Sequence, residues 1–257
     1  MHHLSSRVFL NALLIFTVTV GIFNATPSYS AENTIRFGIS HKEYPPYLMN
    51  NKSDLLGIIA DTFQEVSKKI GYRVEVIIKP NNRIKQDIEN GKIDALAGAT
   101  EWRNDTIDHV STDGIISVSD NLVMTADRQA NLTAGTQLKG MHVATRLGYV
   151  YPSLENMFTA GTIIRHKTRS FESLLKMVSL KRVDYGIIDV NVANWVIRKQ
   201  GLKFSPPLYF MKPGFDEVEF RIILFSKKWN PFVKQFNVAL SKFKASNEWQ
   251  KIINKYR

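Results

Sequence analysis

The sequence contains no cysteine among its 257 residues. A disulfide framework is therefore excluded, and the fold must be stabilised by a hydrophobic core. A cysteine nucleophile, a thiolate metal site and lipid attachment to a cysteine are excluded for the same reason. Hydrophobic residues make up 44% of the chain, which is enough for one large or two small cores.

The common catalytic and cofactor motifs are also missing. The sequence has no H-E-x-x-H zinc motif, no G-x-S-x-G elbow, no P-loop and no G-x-G-x-x-G dinucleotide motif. His109 is the one histidine to consider for chemistry because it follows an arginine-containing loop, although a lone histidine is more often a surface or satisfied residue. We therefore predict a protein that is not an enzyme, with no catalytic residue, no metal site and no cofactor.

Long apolar segments are absent except near the N-terminus. Arg7 precedes the apolar stretch 8–23, and the small residues Ser28 and Ser30 follow it. This order is typical of a secretory signal peptide, here residues 1–30, and the apolar stretch is shorter than the roughly 20 residues that cross a bilayer. An uncleaved membrane anchor is the alternative interpretation. The first interpretation predicts a periplasmic protein that is not anchored in the membrane.

The formal net charge of +11 comes from lysines and arginines spread over the whole chain. Near the C-terminus they alternate with apolar helix positions, as on a solvated helix face. The sequence contains no basic and aromatic module of the kind that binds nucleic acid, so we expect no nucleic-acid partner. A weak preference for anionic ligands or surfaces stays open.

Strand and helix patterns alternate along the chain, which is typical of an α/β protein with mostly parallel sheets. The predicted strands cover 34–40, 72–79, 93–98, 141–145, 162–166 and 183–189, and helical patterns lie between them at 59–70, 84–88, 150–159, 170–180 and 191–199. The extended segments 121–128 and 217–228 do not fit the alternation of strands and helices. We interpret them as two hinge crossings between lobes. This predicts one lobe from 31–122 and 219–257, and a second lobe from 123–218.

Two charged residues follow predicted strands, where ligands bind in open parallel sheets. Arg103 lies just beyond the strand 93–98, and its guanidinium has the fork of donors that grips a carboxylate. A surface salt bridge with Glu101 or Asp105 is an equal alternative. Asp189 ends another strand, where it is able to receive a cationic group or to cap the next helix.

Aromatic residues and a glycine mark further turns at strand ends. Pro45 and Pro46 stiffen the loop that carries Tyr44 and Tyr47, whose rings form either a ligand wall or packing at the solvent edge. Gly148 lies in a predicted strand-to-helix turn, where backbone N–H groups and a helix N-terminus can face an anion. The alternative is that the glycine serves only to form the turn. Tryptophans such as Trp102 and Trp195 more often pack in a core or at a lobe edge.

Six short segments occur in the order and spacing of the family 3 extracellular solute-binding proteins, the polar amino-acid type of periplasmic binding protein. The resemblance spans about 33–257, and Gly57 and Asp61 match its first helix start, whereas Ile59 replaces an acidic residue. The segments are EYPPYLM (43–49), LGIIADTF (56–63), DALAGATEWR (94–103), LKGMHVATRLG (138–148), LKRVDYGIID (180–189) and SNEWQKIINKYR (246–257).

The resemblance implies the two-lobed type II periplasmic binding protein fold, with lobes that close on a small ligand. Tyr44 would then line the ligand, Arg103 would bind an α-carboxylate and Asp189 an α-ammonium. The complete set of expected ligand-binding residues is Tyr44, Tyr47, Thr100, Trp102, Arg103, Gly148, Tyr149 and Asp189.

Two positions depart from the family pattern. Gly98 and Tyr149–Val150 stand where family members often carry hydroxyls that contact a carboxylate. An amino acid is therefore the leading expectation, and another carboxylate or anion stays open, for which Arg83 and Arg146 are further candidates.

The resemblance also implies a partner. We expect a monomer that delivers its ligand to an inner-membrane ABC permease. A ligand-sensing module for a membrane signalling protein is the alternative. A third and less favoured alternative is an elimination enzyme similar to cyclohexadienyl dehydratase, for which His109 and Glu101 are the only candidates.

Overall fold

The computed structural model describes residues 33–40, 44–51, 54–103, 106–129, 138–211 and 214–256. The predicted signal peptide, residues 1–30, lies outside these ranges. Within them, no helix has both the length and the apolar character needed to cross a membrane.

The elements alternate in chain order much as the sequence predicts. The strands are β1 (Thr34–Ser40), β2 (Met49–Asn51), β3 (Asp54–Leu56), β4 (Arg73–Lys79), β5 (Ala95–Gly98), β6 (Val110–Ser111), β7 (Ile116–Thr125), β8 (His142–Arg146), β9 (Ile164–Thr168), β10 (Tyr185–Ile188), β11 (Leu208–Phe210) and β12 (Phe215–Leu224). The α-helices are α1 (Ile58–Lys69), α2 (Asn81–Glu89), α3 (Ala126–Gln129), α4 (Glu155–Thr159), α5 (Phe171–Ser179), α6 (Val190–Lys199), α7 (Asn230–Lys244) and α8 (Asn247–Tyr256). Two 3₁₀ turns cover Thr100–Trp102 and Lys227–Trp229.

The main sheet has the strand order β4-β1-β5-β12-β7-β10-β8-β9. In its first half β1 pairs parallel with β4 and β5, and in its second half β8 pairs parallel with β9 and β10. The antiparallel pairs of this order all involve the two central strands, β7 and β12. The predicted α/β class with mostly parallel sheets is confirmed.

The long strands β7 and β12 join the two halves of the sheet. They pair with each other from Phe215↔Asp120 to Phe220↔Ile116, with a register shift between Phe215 and Val218. They overlap the two segments predicted as crossings, but β7 begins at Ile116, before the predicted start. The serines of its first half hid this start, because only alternate residues of that stretch are apolar. The predicted lobe boundaries fall inside these strands and stay a prediction.

Helix ends follow the expected local chemistry. Gly71, just beyond α1, has φ +81°, a conformation that glycine adopts at little cost. The Ser170 side chain accepts a hydrogen bond from the Ser173 N–H at the start of α5. The helix predicted over 150–159 is shorter, because Pro152 disfavours helical geometry at the residue before it and α4 begins only at Glu155.

The β2–β3 hairpin, in which Met49 pairs with Leu56, was not predicted. Each of its strands has three residues, too few for an alternating pattern to be read from the sequence.

The core beneath the first half of the sheet is built from phenylalanines. Phe63 of α1 is fully buried, and its ring centroid lies 5.2 Å from that of Phe37 in β1. Phe232 and Phe236 of α7 pack on the same ring at 6.4 and 5.8 Å. The C-terminal helix α7 is thereby held against the first elements of the chain.

We predict that Phe63→Ala lowers the free energy of unfolding by about 3–5 kcal/mol, because it leaves a cavity between strands and helices that cannot collapse freely. Urea unfolding followed by circular dichroism measures the change. Val238→Ala on the exposed face of α7 is the control, since Val238 is 61% exposed and its loss should cost about 0.5 kcal/mol or less. A change below about 1 kcal/mol for Phe63→Ala would show that this core is wrongly described.

Candidate functional site

The loop from Tyr44 to Leu48 is fixed against the start of α1. Within the loop, the Tyr44 N–H donates to the Leu48 carbonyl at 2.8 Å, and the Leu48 N–H donates back at 3.0 Å. The Ile59 N–H donates to the Tyr47 carbonyl at 3.0 Å. Gly57 has φ +119°, and a Cβ there would lie 2.4 Å from the same carbonyl oxygen, so only glycine permits this approach.

The Tyr44 ring lies at the centre of what we term the aromatic cluster. Its centroid is 5.4 Å from that of Tyr47, 5.5 Å from Phe220 of β12, 6.0 Å from Tyr149 and 6.2 Å from Phe171 of α5. Trp102 joins at the edge, with its ring 5.1 Å from Phe220 and 40% of the residue exposed. The aromatic cluster therefore comprises Tyr44, Tyr47, Trp102, Tyr149, Phe171 and Phe220, and it includes residues from both halves of the sheet.

Asp189 connects this cluster to α6. The residue is 3% exposed, and its Oδ1 accepts hydrogen bonds from the N–H groups of Asn191 and Val192 at 2.8 and 3.0 Å. The predicted role as a helix N-cap is confirmed. The same oxygen accepts a hydrogen bond from the Tyr47 hydroxyl at 3.0 Å, and Asn191 Nδ2 donates to that hydroxyl at 2.9 Å. Tyr47, in the first half, is thus bonded to two residues of the second half.

Burial governs the electrostatics of this contact. It raises the pKa of Asp189, and the hydrogen bonds from the Val192 N–H and the Tyr47 hydroxyl oppose that rise. Burial, followed by the charge of Asp189, also raises the pKa of Tyr47. Tyr47 therefore stays protonated and acts as a donor to Asp189.

A second carboxylate, Asp120 of β7, lies in the same electrostatic environment. Burial, then the charges of Asp189 and Asp216, raises the pKa of Asp120 to about 7. The Asp216 carboxylate accepts a hydrogen bond from the Ser153 N–H at 3.1 Å. Asp189 and, once it is ionised, Asp120 give this part of the molecule negative charge that a cation would offset.

Arg103 lies near the Tyr44 loop, in the first half of the molecule. Its Cζ lies 4.9 Å from the ring centroid of Phe225, and its side chain lines a cavity of about 380 Å³ together with Ser40, Leu48 and Ile107. Leu48 forms a bridge with Tyr44, so this cavity borders the loop that carries the aromatic cluster.

The sequence left open a surface salt bridge of Arg103 with Glu101 or Asp105, and the structure describes the surroundings of Glu101. Thr100, in the 3₁₀ turn, donates its hydroxyl to Glu101 Oε2 at 3.2 Å. Glu101 Oε1 lies 3.9 Å from Arg221 Nη2, and Asp105 is outside the described residues. At Gly98 an added Cβ would meet only Ile223 Cδ1, at an ordinary 3.8 Å. The backbone therefore has room for the serine or threonine that the family pattern favours.

Gly148 and Tyr149 follow β8, and the turn departs from the prediction. Gly148 has φ +81°, as a tight turn needs, but α4 starts only at Glu155, so the helix N-terminus expected beside the glycine is not there. Arg165 Nη2 donates to the Tyr149 carbonyl at 2.7 Å and holds the turn. Among the described atoms, the two further arginine candidates differ: Arg146 has its Cζ 5.4 Å from the Phe171 ring, whereas Arg83 donates to Gln86 on the exposed surface of α2.

The structure adds Asp120, Phe171 and Phe220 to the site residues expected from sequence. Asp120 was recognisable from the sequence because it is a carboxylate within a strand of a buried sheet, where carboxylates are unusual. The two phenylalanines gave no signal, because their spacing is that of ordinary core residues. Other candidates lie elsewhere: His109 Nδ1 is 3.0 Å from the Ile107 carbonyl oxygen, and the Trp195 ring packs on Tyr256.

We predict that the free energy of unfolding falls as the pH rises from 5.5 to 7.5, and that Asp120→Asn removes about 1–2 kcal/mol of this fall. The folded pKa of Asp120, about 7, exceeds the ordinary value of 3.8. Above pH 3.8 the unfolded chain releases this proton while the folded chain keeps it until about pH 7, so raising the pH favours unfolding. Urea unfolding at several pH values measures both proteins, and parallel curves would contradict the assignment.

Comparison with known proteins supports the fold and places the chain in a family. A relative described as a probable histidine-binding protein of Campylobacter jejuni subsp. jejuni serotype O:2 is 25% identical over 238 residues, 91% of this chain and 88% of the relative. Among solved structures, the B. pertussis BvgS periplasmic domain is similar with a TM-score of 0.71 and 15% identity, over 88% of this chain and 43% of that one.

Two ligand complexes are similar over nearly their whole length. The GluR0 ligand-binding core with L-glutamate has a TM-score of 0.68 and 14% identity, covering 87% of this chain and 97% of that one. An ancestral arginine-binding protein bound to arginine has a TM-score of 0.63 and 21% identity, covering 87% and 98%. These likenesses confirm the predicted two-lobed periplasmic binding protein fold. The profile of one family matches residues 35–257, and the chain therefore belongs to the bacterial extracellular solute-binding proteins, family 3.

Proposed function

We propose that this protein captures a small ligand with an ammonium group, an amino acid or a related carboxylate, between two closing lobes in the periplasm. We further propose that it acts as a monomer and delivers the ligand to an ABC permease in the inner membrane. The observation that carries the proposal is the buried Asp189 carboxylate, which receives a hydrogen bond from Tyr47 of the opposite half at 3.0 Å.

The contacts between the halves support closure as the binding step. Tyr47 and Tyr44 of the first half touch Asp189, Asn191 and Tyr149 of the second. Arg198 of α6 also donates to the Tyr256 carbonyl of α8 at 3.2 Å. The two halves are joined as well along the paired strands β7 and β12, which are suited to act as the hinge. Opening the lobes 31–122 with 219–257 and 123–218 would expose the aromatic cluster and the carboxylates to a ligand.

The chemistry of the cleft favours a cationic group. Asp189 is a buried carboxylate and Asp120 a half-buried one, and the aromatic cluster supplies ring faces that attract an ammonium ion in a site shielded from water. A ligand ammonium between them would offset the burial and the charge repulsion that together raise the pKa of Asp120. The similar proteins named for histidine, arginine and glutamate binding support an amino acid as the ligand class.

Arg103 is the proposed partner of the ligand carboxylate. Arg103 lines a cavity of about 380 Å³ beside the Tyr44 loop, which leaves space for a small ligand group. Arg146 is the alternative, since it touches Phe171 of the aromatic cluster, but its Nη1 already donates to the Thr168 carbonyl at 3.3 Å.

A sensing role is the second candidate function. The similarity to the BvgS periplasmic domain supports it, because that domain has the same fold within a longer chain. The ligand site would be the same in both cases, and only the membrane partner would differ. Copurification with a permease complex or with a membrane signalling protein distinguishes the two roles.

We predict that Asp189→Asn loses its preference for ligands that carry an amine. A thermal-shift screen compares each amino acid with its decarboxylated amine and with its deaminated acid, because a ligand that binds the folded state raises the melting temperature by mass action. For the wild type, removing the ligand amine should weaken binding by about 1.5–3 kcal/mol, the value of a charge-assisted hydrogen bond. In Asp189→Asn the amino acid and the deaminated acid should bind alike.

Tyr47→Phe is the matched control for that experiment, because it removes the hydroxyl bonded to Asp189 but keeps both the ring and the carboxylate. It should weaken all ligands by a similar factor. If Asp189→Asn folds and still prefers the amine-bearing compound as strongly as the wild type does, the ammonium site is wrongly assigned.

The carboxylate site gives a separate prediction. Arg103→Ala should bind the amino acid no more tightly than its decarboxylated amine, whereas Arg146→Ala should retain the preference of the wild type, about 1.5–3 kcal/mol. The same thermal-shift series reports both variants. The opposite result, with the preference kept in Arg103→Ala and lost in Arg146→Ala, would move the carboxylate site to the second half of the molecule.

A further inference from the structure

Two histidine side chains meet on the surface of the second half, at the far end of β8 from Arg146. His142 Nδ1 and His166 Nε2 are 2.8 Å apart, and the two ring centroids are 5.0 Å apart with an angle of 23° between the planes. His142 is exposed and His166 is partly exposed. One ring nitrogen donates and the other accepts in an N–H···N hydrogen bond, and the tautomers decide which is the donor.

The strand register produces the pair. β8 and β9 run parallel, with His142 opposite Ile164 and Ala144 opposite His166. Side chains two apart on a strand share a face, so the two histidines lie diagonally on the same face of the sheet. They are 24 residues apart in the chain, so no short sequence motif marks the pair. β8 separates them from Arg146 by about 13 Å, so the pair is distinct from the ligand cleft.

The two nitrogens are close enough to bind one metal ion. A metal bound to imidazole has nitrogen ligands at about 2.0–2.1 Å, so neighbouring nitrogens at a right angle are about 2.9 Å apart and those at a tetrahedral angle about 3.3 Å. The observed 2.8 Å is the length of the N–H···N hydrogen bond and lies below both values, so a small movement of the rings is enough to reach either. Imidazole is a ligand that copper(II), nickel(II) and zinc(II) accept. Rotation of the exposed His142 ring would turn both nitrogen lone pairs toward one ion, which displaces the proton of the hydrogen bond.

The surroundings allow a cation to approach. Asp184 lies beside the pair, where its Oδ2 accepts a hydrogen bond from the His142 main-chain N–H at 2.7 Å. Its Oδ1 is 2.5 Å from Arg128 Nη1, so this carboxylate orients β8 and is not itself available as a third ligand. Within the described residues, no group of three or more His, Cys, Asp or Glu side chains is placed to hold a metal ion. Water would complete the coordination of an ion held by two imidazoles.

We propose that His142 and His166 form a two-imidazole binding site for a divalent copper or nickel ion on the surface of the second half. The site is independent of the ligand cleft and of the proposed function. It binds Cu²⁺ more tightly than Ni²⁺ or Zn²⁺, which is the usual order of affinities for nitrogen ligands.

Isothermal titration of the full chain with Cu²⁺, Ni²⁺ and Zn²⁺ tests the site. His2 and His3 near the N-terminus are replaced by glutamine in every protein, so that they cannot contribute. We expect saturable binding of one Cu²⁺ per chain, and at least a tenfold loss of affinity in both His142→Gln and His166→Gln. His109→Gln is the matched control and should bind as the parent does. The electron paramagnetic resonance spectrum of bound Cu²⁺ should show two equivalent nitrogen ligands, reduced to one in either variant.

Three results would overturn the proposal: no saturable binding by the parent, unchanged affinity in either histidine variant, or an equal loss in His109→Gln. Circular dichroism spectra confirm that each variant is folded. Because the two variants change different strands, a folding defect in one leaves the other to decide the question. Failure here would leave the ammonium site in the cleft untouched.

Discussion

The hydrogen bond from the Tyr47 hydroxyl to the Asp189 carboxylate joins the two halves of this protein at a buried polar contact. Each partner is held from behind by its own half. Gly57 allows the Tyr47 loop to approach the start of α1, and the first N–H groups of α6 fix the carboxylate. The aromatic cluster closes around this bond, so the geometry of the whole cleft follows from it.

Without a ligand, the buried charge at the contact between Tyr47 and Asp189 is energetically unfavourable. Asp189 and Asp120 have no described cationic partner in the cleft, and their pKa values rise because burial disfavours both charges. The pairing of β7 with β10, in which Asn121 lies opposite Ile188, keeps the two carboxylates close to each other in either state. Closure encloses them together, and a ligand ammonium is what offsets their charge. This gives a physical reason for ligand-dependent closure. The closed form is more stable with ligand than without it, because only the ligand supplies the positive charge. The surface histidines lie outside this balance.

Much of the fold was predictable from the sequence, because periodic apolar residues, the capping residues Ser170 and Asp189, and Gly71 give local signals that tertiary packing did not override. The early start of β7 and the β2–β3 hairpin were missed, since polar alternation and very short strands carry little pattern. Tyr44, Tyr47, Tyr149 and Asp189 of the predicted site do come together. Phe171 and Phe220 were missed because their spacing is that of ordinary core residues, and Asp120 was not singled out although it is a carboxylate within a strand. The histidine pair was missed because strand pairing brings the two side chains together and leaves no spacing in the sequence.

Because the sequence has no cysteine, closure governed by a ligand ammonium can be measured directly. Cysteines introduced at the exposed residues Glu89 of α2 and Lys176 of α5 can carry spin labels without competing sites. Pulsed dipolar spectroscopy then measures the distance between the two halves. The account predicts that a saturating amine-bearing ligand shortens and narrows this distance, and that its deaminated analogue at the same occupancy does not. An unchanged distance with bound ligand, or equal shortening by both compounds, would contradict it.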